Sequence, residues 1–261
     1  MPELPEVESY KTYIDNTILY QRITAMDCRD DRLLKKPQSD FDNFLIGEKL
    51  TETRRIGKYL FLKTSSEMVL VMHFGMTGRP NYYNSEDERP KFGHIQLSFD
   101  NGFHFAFKNK RKFGWWNLTE SIEVFKSEHN LSDDARELTL EDFKAALSSR
   151  STDIKKIIMD QSVCAGVGNW MADDILYQAK IHPKRRVENM DDNDVKSVFD
   201  AMKNVIEVAI ENDAHYADFP EYFLIHNRKD GGVCHHTDCD IEKIKVGGRT
   251  TYFSPQWQKL K

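Results

Sequence analysis

The chain begins Met1-Pro2-Glu3-Leu4-Pro5-Glu6, and this hexapeptide holds a candidate reactive group. Removal of Met1 by an aminopeptidase would leave Pro2 with a free secondary amine. An α-amino group has a pKa of roughly 7.7–8.0, so part of it is unprotonated and nucleophilic near neutral pH. Attack of this amine on a sugar C1′ would give a cationic iminium, an electron sink for elimination chemistry. Glu3, next in the chain, could move protons.

The same residues also favour a simpler role as the start of a helix. Proline and glutamate are preferred in a first helical turn, as in Leu4-Pro5-Glu6-Val7-Glu8. Apolar side chains then recur at helical spacing, at Val7, Tyr10, Ile14 and Ile18. The pattern predicts a helix over residues 5–20, and the hexapeptide alone does not decide between the two roles.

Length and composition describe a globular intracellular protein. With 261 residues, 39% of them hydrophobic, the chain is long enough for two domains with cores. It shows no apolar run long enough to span a membrane and no signal-peptide pattern at the N-terminus, so we expect neither feature. The cysteines are sparse (Cys28, Cys164, Cys234 and Cys239), which is typical of a reduced cytosolic protein. We expect a cytoplasmic monomer that does not bind membranes.

The net charge of −5 argues mildly against a nucleic-acid partner, but the charges are segregated along the chain. Basic clusters occupy residues 54–58, 108–112 and 184–186, whereas the stretch 120–142 is acidic. A charge run is usually a solvated surface. The run at 108–112, however, adjoins Phe113-Gly-Trp-Trp, and cations next to aromatic rings are a feature of nucleic-acid surfaces.

Short strands dominate residues 21–118. Alternating or apolar strand patterns occur at 58–63, 68–74, 94–99 and 103–107. Asp100-Asn101-Gly102 between the last two predicts a hairpin with a type I′ turn, because Asn-Gly tolerates a positive φ. We predict a catalytic domain over 1–118, an antiparallel β-sandwich with a leading helix.

The rest of the chain is mainly helical. The polar stretch 119–138 reads as a linker, and helices are predicted at 139–148, 153–161, 169–180 and 191–212. The last 40 residues return to strands with glycine turns at 231–232 and 247–248. The fold class is α+β, with a helical domain over 139–222 and a β-hairpin over 223–261.

A glycine-bearing turn lies between the second and third of these helices. It reads Gln161-Ser-Val-Cys-Ala-Gly-Val-Gly-Asn169, and Gly166 and Gly168 allow a tight double turn. Exposed amides at the start of the following helix would form an anion site suited to a DNA phosphate. An ordinary helical hairpin with glycines for packing is equally compatible with these residues.

Five short blocks together resemble the formamidopyrimidine-DNA glycosylase family. In order, they are MPELPE at the N-terminus, Arg55-Ile-Gly-Lys58-Tyr-Leu, His73-Phe-Gly-Met76-Thr-Gly, Arg111-Lys-Phe113-Gly and Ala165-Gly-Val-Gly-Asn169. The resemblance runs essentially end to end. It implies an N-terminal β-sandwich, a helix-two-turn-helix DNA-binding domain and a C-terminal β-hairpin finger.

The resemblance implies a catalytic role for particular side chains. Pro2 matches the Schiff-base nucleophile of the family and Glu3 the proton donor and acceptor. Lys58 is similar to a lysine at the tip of a strand that contacts the phosphate beside the lesion. Lys155 matches a lysine near the damaged base, and Glu6 resembles a buried carboxylate that supports the active site. Taken singly, these would be surface lysines and a helix-start charge.

The resemblance also implies DNA-binding residues. Met76, Arg111 and Phe113 match the trio that fills the space left when a nucleotide is flipped out, which offsets part of the cost of unstacking. Met76 and Phe113 alone would more often be core residues. Asn169 matches the phosphate-binding asparagine of the double turn, and Arg249 the arginine at the finger tip.

The finger departs from the family pattern of two CxxC pairs, which is a zinc site. Registered on the Gly-Arg tip, only Cys234 falls on a ligand position, and Thr237, Ser254 and Trp257 take the other three. A hydroxyl and an indole cannot replace thiolates. We therefore expect no zinc and no other cofactor.

Two structures of the finger remain open. In one, a zincless hairpin is held by packing of Trp257, Tyr252 and Phe253. In the other, an unusual metal site uses Cys234, Cys239 and either His235 or His236.

The chain also departs from the family pattern in the segment that precedes the finger. The resemblance implies a Gly-, Thr- and Ser-rich loop that closes over a flipped 8-oxoguanine, but residues 212–228 are shorter and differ in composition. Ring-opened formamidopyrimidines or oxidised pyrimidines then become the better candidates.

These features predict a bifunctional DNA glycosylase and AP lyase of base excision repair. It would remove oxidised bases from duplex DNA, with formamidopyrimidines as the main candidates and 8-oxoguanine as a secondary one, and cut the strand by β,δ-elimination. Two alternatives stay open: the same chemistry with an endonuclease VIII-like preference for oxidised pyrimidines, and a non-catalytic protein that binds damaged DNA.

Overall fold

The computed structural model describes residues 1–84, 87, 89–148 and 150–260. The chain divides into two units, each with its own core. The first comprises Met1–Pro2 and Glu6–Asn130, and the second comprises Glu3–Pro5 and the chain from Leu131 onward. Among the helices of these residues, none has the length and apolarity needed to cross a bilayer.

The first unit is built on two antiparallel four-stranded sheets, ordered β1-β6-β7-β5 and β2-β3-β4-β8. Its strands are β1 (Ile23–Cys28), β2 (Glu52–Ile56), β3 (Tyr59–Lys63), β4 (Val69–His73), β5 (Gly78–Asn84), β6 (Gly93–Phe99), β7 (Phe103–Asn109) and β8 (Trp115–Thr119). Its helices are α1 (Leu4–Thr17), α2 (Gln38–Leu45) and α3 (Ile122–Glu128). The predicted antiparallel sandwich with a leading helix is confirmed.

The core of this unit follows from the sequence pattern of its strands and helix. Along β6, every second side chain is buried, so one face of the strand lines the core. Apolar residues of both sheets form one cluster with the buried face of α1, which contributes Val7, Ile14 and Ile18. The helical spacing of these side chains is what places them on one face.

The β6–β7 hairpin forms where it was predicted, but its turn is different. In a type I′ turn both central residues have a positive φ, and here only Gly102 does, at 79°. Asp100, Asn101 and Gly102 all lie outside the strands. The predicted type I′ turn is therefore wrong. The three-residue loop puts the one left-handed conformation on glycine, where it costs least.

The second unit contains α4 (Leu140–Ser148), α5 (Ile154–Ile158), α6 (Asn169–Gln178), α7 (Asp192–Glu211) and a hairpin of β9 (Glu242–Val246) and β10 (Arg249–Phe253). Predicted to reach residue 161, α5 stops earlier because Asp160 forms a turn. Its Oδ1 accepts hydrogen bonds from the backbone N and the hydroxyl of Ser162, at 2.9 and 2.8 Å. Aspartate commonly competes with helix in this way.

The segment 119–138, expected to be a linker, packs against the units at both of its ends. α3 lies in the first unit, where Phe125 is buried and meets Phe61 edge to face at 5.4 Å. Ala135 and Leu138 are buried in the core of the second unit. The division between units falls between Asn130 and Leu131.

Candidate active site

Glu3 binds the start of α6. Its carboxylate is 2% exposed, and its two oxygens accept hydrogen bonds from the backbone N of Trp170, at 3.1 Å, and of Met171, at 3.2 Å. The free amides and the dipole at a helix N-terminus favour an anion. The sequence predicted an anion site here for a DNA phosphate. In the structure Glu3 itself occupies these two amides, so that assignment is wrong for them.

The two glycines of the double turn make room for the N-terminal segment. A Cβ on Gly168 would lie 2.2 Å from Cδ of Glu3, and one on Gly166 would lie 2.7 Å from Cδ1 of Leu4. Gly166 also has a φ of +110°, which favours glycine. The backbone N of Leu4 donates to O of Gly166 at 3.2 Å. The turn is thus shaped to receive Glu3 and Leu4, the residues that follow Pro2.

Lys155 is buried and fully hydrogen-bonded. Its Nζ donates to Oδ1 of Asn169 at 2.8 Å, Oδ1 of Asp173 at 2.6 Å and Oγ1 of Thr251 at 2.7 Å. An ammonium has three protons, so all of them are directed at protein groups. Burial lowers the pKa of Lys155, and the charge of Asp173 opposes that shift. Lys155 therefore joins α5, α6 and β10.

Asp173 and Asn169 extend this network. The second oxygen of Asp173 accepts from Nε of Arg228, at 2.9 Å, and from the backbone N of Tyr252, at 3.3 Å. Asn169 donates through Nδ2 to the carbonyl of Thr250 at 2.9 Å. Asn169, predicted to bind a phosphate, thus holds the finger strand β10 against α6. We call Lys155, Asp173 and Arg228 the buried triad.

Arg249 is exposed at the tip of the finger, where Gly247 and Gly248 turn the chain with φ values of 54° and 75°. Its carbonyl accepts a hydrogen bond from Oγ1 of Thr251 at 3.2 Å. Thr251 is also the residue of β10 that Lys155 contacts, so Arg249 lies two residues from the buried triad. The placement matches the sequence prediction of an arginine presented at a hairpin tip.

Lys58 and Glu6 lie in the first unit. Lys58 follows Gly57 in the tight turn between β2 and β3 and is 8% exposed, and its charge is one cause of the low pKa of His73, after burial. Glu6 lies in the first turn of α1 and is half-buried rather than buried. Its charge, together with burial, raises the pKa of Tyr10.

Met76, Arg111 and Phe113 lie on two neighbouring loops of the first unit, and all three side chains are exposed. The Arg111 guanidinium lies 5.1 Å from the centre of the Phe113 ring. Gly75 packs against the backbone of Phe113 and Gly114, so closely that a Cβ would come within 2.3 Å. The structure therefore brings this trio together, and we refer to it as the wedge.

Comparison with known proteins identifies the family. Residues 1–116 match the formamidopyrimidine-DNA glycosylase N-terminal domain, and residues 131–220 match the H2TH domain of the same enzymes. A formamidopyrimidine-DNA glycosylase of Arabidopsis thaliana is 32% identical over 100% of this chain and 71% of its own length. The chain belongs to the formamidopyrimidine-DNA glycosylase family.

Other relatives and solved structures that are similar to this chain belong to the same family. A formamidopyrimidine-DNA glycosylase of Pelotomaculum thermopropionicum is 29% identical, with all of both chains covered. A MutM structure in complex with DNA containing carbocyclic 8-oxo-G superposes with a TM-score of 0.91 at 25% identity, covering 99% of this chain and 100% of that one. A Lactococcus lactis Fpg variant with Fapy-dG-containing DNA gives 0.90 at 25% identity and the same coverage.

The residues of the finger do not fit zinc. Of the four ligand positions, only Cys234 carries a thiol. Burial raises its pKa, but the hydroxyls of Ser254, Thr237 and Tyr177 more than offset that rise and leave the pKa below its ordinary value. Three hydroxyls around one thiol cannot supply the thiolate or imidazole ligands that structural zinc takes.

The alternative metal site, formed by Cys234, Cys239 and either His235 or His236, is not present either. The described part of the chain holds no group of three or more His, Cys, Asp or Glu side chains placed to bind a metal. His236 stacks on the Trp257 ring at 4.2 Å, and the Cys234 thiol lies 3.2 Å from the Tyr177 hydroxyl.

Apolar packing and hydrogen bonds join the finger to α6. Tyr177, Leu224, Cys234 and Ile241 form a small core, with Tyr252 and Trp257 packed against it. The Trp257 indole donates to the carbonyl of Tyr177 at 2.9 Å, and the Lys180 ammonium lies 4.2 Å from its ring centre. Trp257 therefore stabilises the hairpin at a position where the family pattern has a cysteine.

Proposed function

We propose that this chain is a bifunctional DNA glycosylase and AP lyase that removes oxidised bases from double-stranded DNA. The observation that carries the proposal is Glu3, held by two amides of α6 immediately after Pro2 in the chain. These two hydrogen bonds fix the position of the carboxylate of the residue that directly follows Pro2. Preorganisation of this kind is what proton transfer requires.

The reaction starts at Pro2 once Met1 has been removed. The amine attacks C1′ of the damaged nucleotide, the bond from C1′ to the base breaks, and the base leaves with the electron pair and takes up a proton. Glu3 donates and accepts the protons in this sequence. The Pro2 nitrogen loses its proton, the C1′–O4′ bond of the sugar then breaks, and O4′ takes up a proton. The product is a ring-opened iminium between the Pro2 nitrogen and C1′.

Strand cleavage follows from the iminium. Its positive charge acidifies the proton at C2′, whose removal expels the 3′ phosphate by β-elimination. A second elimination then expels the 5′ phosphate. Neither step needs a metal or an organic cofactor. In the proposal, Lys58 and Arg249 contact phosphates near the lesion, and the wedge fills the space of the flipped nucleotide.

The substrate range we propose centres on formamidopyrimidines. The segment between α7 and the finger is packed into the second unit through Phe219, Phe223 and Leu224, which are at most 4% exposed. The carboxylate of Asp174 holds it as well, accepting from the backbone N of Leu224 and of Ile225, both at 2.9 Å. A segment anchored in this way is poorly suited to close over a flipped 8-oxoguanine.

Borohydride trapping tests the chemistry. The Met1-cleaved protein is incubated with duplexes that carry an abasic site, a formamidopyrimidine, 8-oxoguanine or thymine glycol, and the covalent adduct is quantified. A matched control carries an N-terminal tag that keeps Pro2 in a peptide bond. We expect an adduct from the processed protein, none from the tagged protein, and a strongly reduced amount from Pro2→Gly.

The same four duplexes distinguish the proposed function from a non-catalytic DNA-binding protein and from an endonuclease VIII-like enzyme. Binding without any adduct or cleavage product would refute the lyase activity and leave a non-catalytic binder of damaged DNA. Faster excision of thymine glycol than of formamidopyrimidine would instead assign the endonuclease VIII-like range.

A further inference from the structure

The two wedge loops carry their DNA-facing side chains on separate pieces of chain. Met76 lies between β4 and β5, and Arg111 and Phe113 lie between β7 and β8. Met76 is 39% exposed and Phe113 54% exposed, so neither is held by burial in the core. The two loops touch where Gly75 packs on the backbone of Phe113 and Gly114, and hydrogen bonds link them as well.

Asn109, the last residue of β7, lies at the base of one of these loops and is completely buried. Its backbone N donates to the carbonyl of Phe92 at 2.9 Å, and its own carbonyl accepts from the backbone N of Lys112 at 3.2 Å. Its side-chain Oδ1 reaches across to the other loop and accepts from Oγ1 of Thr77 at 3.2 Å.

Thr77 completes the link, because its hydroxyl is used in both directions. While it donates to Asn109, its Oγ1 also accepts from the backbone N of Arg111 at 3.0 Å. A hydroxyl can donate once and accept twice, so both bonds form together. One hydroxyl, next in sequence to Met76, thereby fixes the backbone of Arg111.

The two polar atoms of the Asn109 side chain differ in their contacts, and only Oδ1 links the two loops. Its Nδ2 is buried and has no hydrogen-bond partner among the described residues. A buried donor without a partner is unfavourable. The carbonyl half, by contrast, is bonded to Thr77, so the residue contributes here as an acceptor.

We propose that Thr77 and Asn109 are positioning residues for base extrusion, which hold the wedge preassembled before DNA binds. The inference rests on the proposed glycosylase function. Extrusion costs a few kcal/mol of stacking and pairing, which the inserted side chains offset. Loops already held in register do not have to be ordered at that moment, so more of the contact energy remains for extrusion.

Thr77→Val tests the link, because valine keeps the shape and removes both hydrogen bonds, and Thr77→Ser is the matched control that retains the hydroxyl. Single-turnover rates are measured on two duplexes of one sequence, one with an intact formamidopyrimidine and one with a preformed abasic site, which has no base to extrude. For Thr77→Val we expect base excision to slow about tenfold and abasic cleavage to change by less than about twofold.

A fluorescent 2-aminopurine beside the lesion reports wedge insertion directly. Its signal on binding should fall for Thr77→Val and recover for Thr77→Ser. Asn109→Ala should give the same selective loss of excision. Equal slowing on both duplexes would mean a general structural role, and unchanged rates on both duplexes would mean no role. Either result overturns the inference while leaving the glycosylase function intact. An inactive wild-type protein refutes the proposed function and the inference with it.

Discussion

The Lys155 ammonium lies 2.6 Å from the Asp173 carboxylate, and both side chains are at most 1% exposed. Arg228 reaches the other oxygen of Asp173 at 2.7 Å. A buried charge is tolerated only when it is paired, and here each member of the triad depends on the others. Because Lys155 also bonds to Thr251 on β10, the triad fixes the strand that presents Arg249.

Lys155→Met should therefore destabilise the protein by about 3–5 kcal/mol, because it leaves the buried carboxylate of Asp173 without its main partner. The measurement is urea unfolding monitored by fluorescence. Lys156→Met is the matched control: Lys156 is the next residue, its side chain is 42% exposed, and its ion pair with Asp153 should contribute less than about 1 kcal/mol.

The coupling between Lys155 and Asp173 can also be tested by removing both side chains together. Combining Lys155→Met with Asp173→Leu removes both buried charges, so the pair of substitutions should cost less than the sum of the single ones. Additive losses would show that Lys155 and Asp173 are not coupled. Direct contact of Lys155 with a flipped base would instead appear as a catalytic defect in a variant of unchanged stability.

Glu3 and Gly168 provide a second coupled pair. Because a Cβ on Gly168 would lie 2.2 Å from Cδ of Glu3, Gly168→Ala should cost about 1–3 kcal/mol in the native protein. In a Glu3→Ala background the obstacle is gone, and the same substitution should cost much less. A double-mutant cycle by urea unfolding measures the difference. An equal cost in both backgrounds would contradict the predicted contact.

Sequence patterns predict the local structure of this chain well. The spacing of Val7, Ile14 and Ile18 gives the buried face of α1, and the Asn101-Gly102 pair gives the position of the β6–β7 hairpin. In both cases the structure depends on the type and spacing of residues that lie close together in the chain. The early end of α5 was missed because the side chain of Asp160 competes with the helix, an effect that apolar periodicity does not contain.

The site was predicted less completely, because its contacts join residues far apart in the chain. Lys155 and Thr251 are 96 positions apart, and Glu3 and Trp170 are 167 apart. No local spacing signals such pairs. Asp173 carries no sequence signal of its pairing with Lys155 for the same reason.

The finger gives a prediction about metal content. Purified protein should contain less than about one tenth of a zinc ion per chain by elemental analysis, since Thr237, Ser254 and Trp257 supply no zinc ligand. Treatment with EDTA should leave the melting temperature unchanged. One zinc per chain would contradict the prediction.

The packing of Trp257 should then carry the stability that zinc supplies elsewhere. Trp257→Ala should destabilise the second unit by about 3–5 kcal/mol, because it removes a large side chain from the Tyr177 cluster. Trp257→Phe keeps part of the packing but loses the indole hydrogen bond to Tyr177, so its effect should be smaller. Equal unfolding midpoints for Trp257→Ala and the wild-type protein would show that the hairpin is held in another way.

His73 should make the first unit sensitive to acid. Burial, followed by the charges of Lys58 and Lys35, lowers its pKa from 6.5 to about 4. The unfolded chain therefore binds a proton below pH 6.5 that the folded chain does not accept until about pH 4. Stability is full above pH 6.5 and falls as the pH drops through this window.

The shift corresponds to a loss on the order of 3 kcal/mol between pH 7 and pH 4. His73→Asn removes the titrating ring but keeps an acceptor for the backbone N of Gly75, which donates to Nδ1 of His73 at 3.3 Å. Urea unfolding at both pH values should therefore show a smaller acid loss in the variant. The NMR titration of the ring gives the pKa itself, and a midpoint near 6.5 would contradict the predicted burial of a neutral histidine beside Lys58.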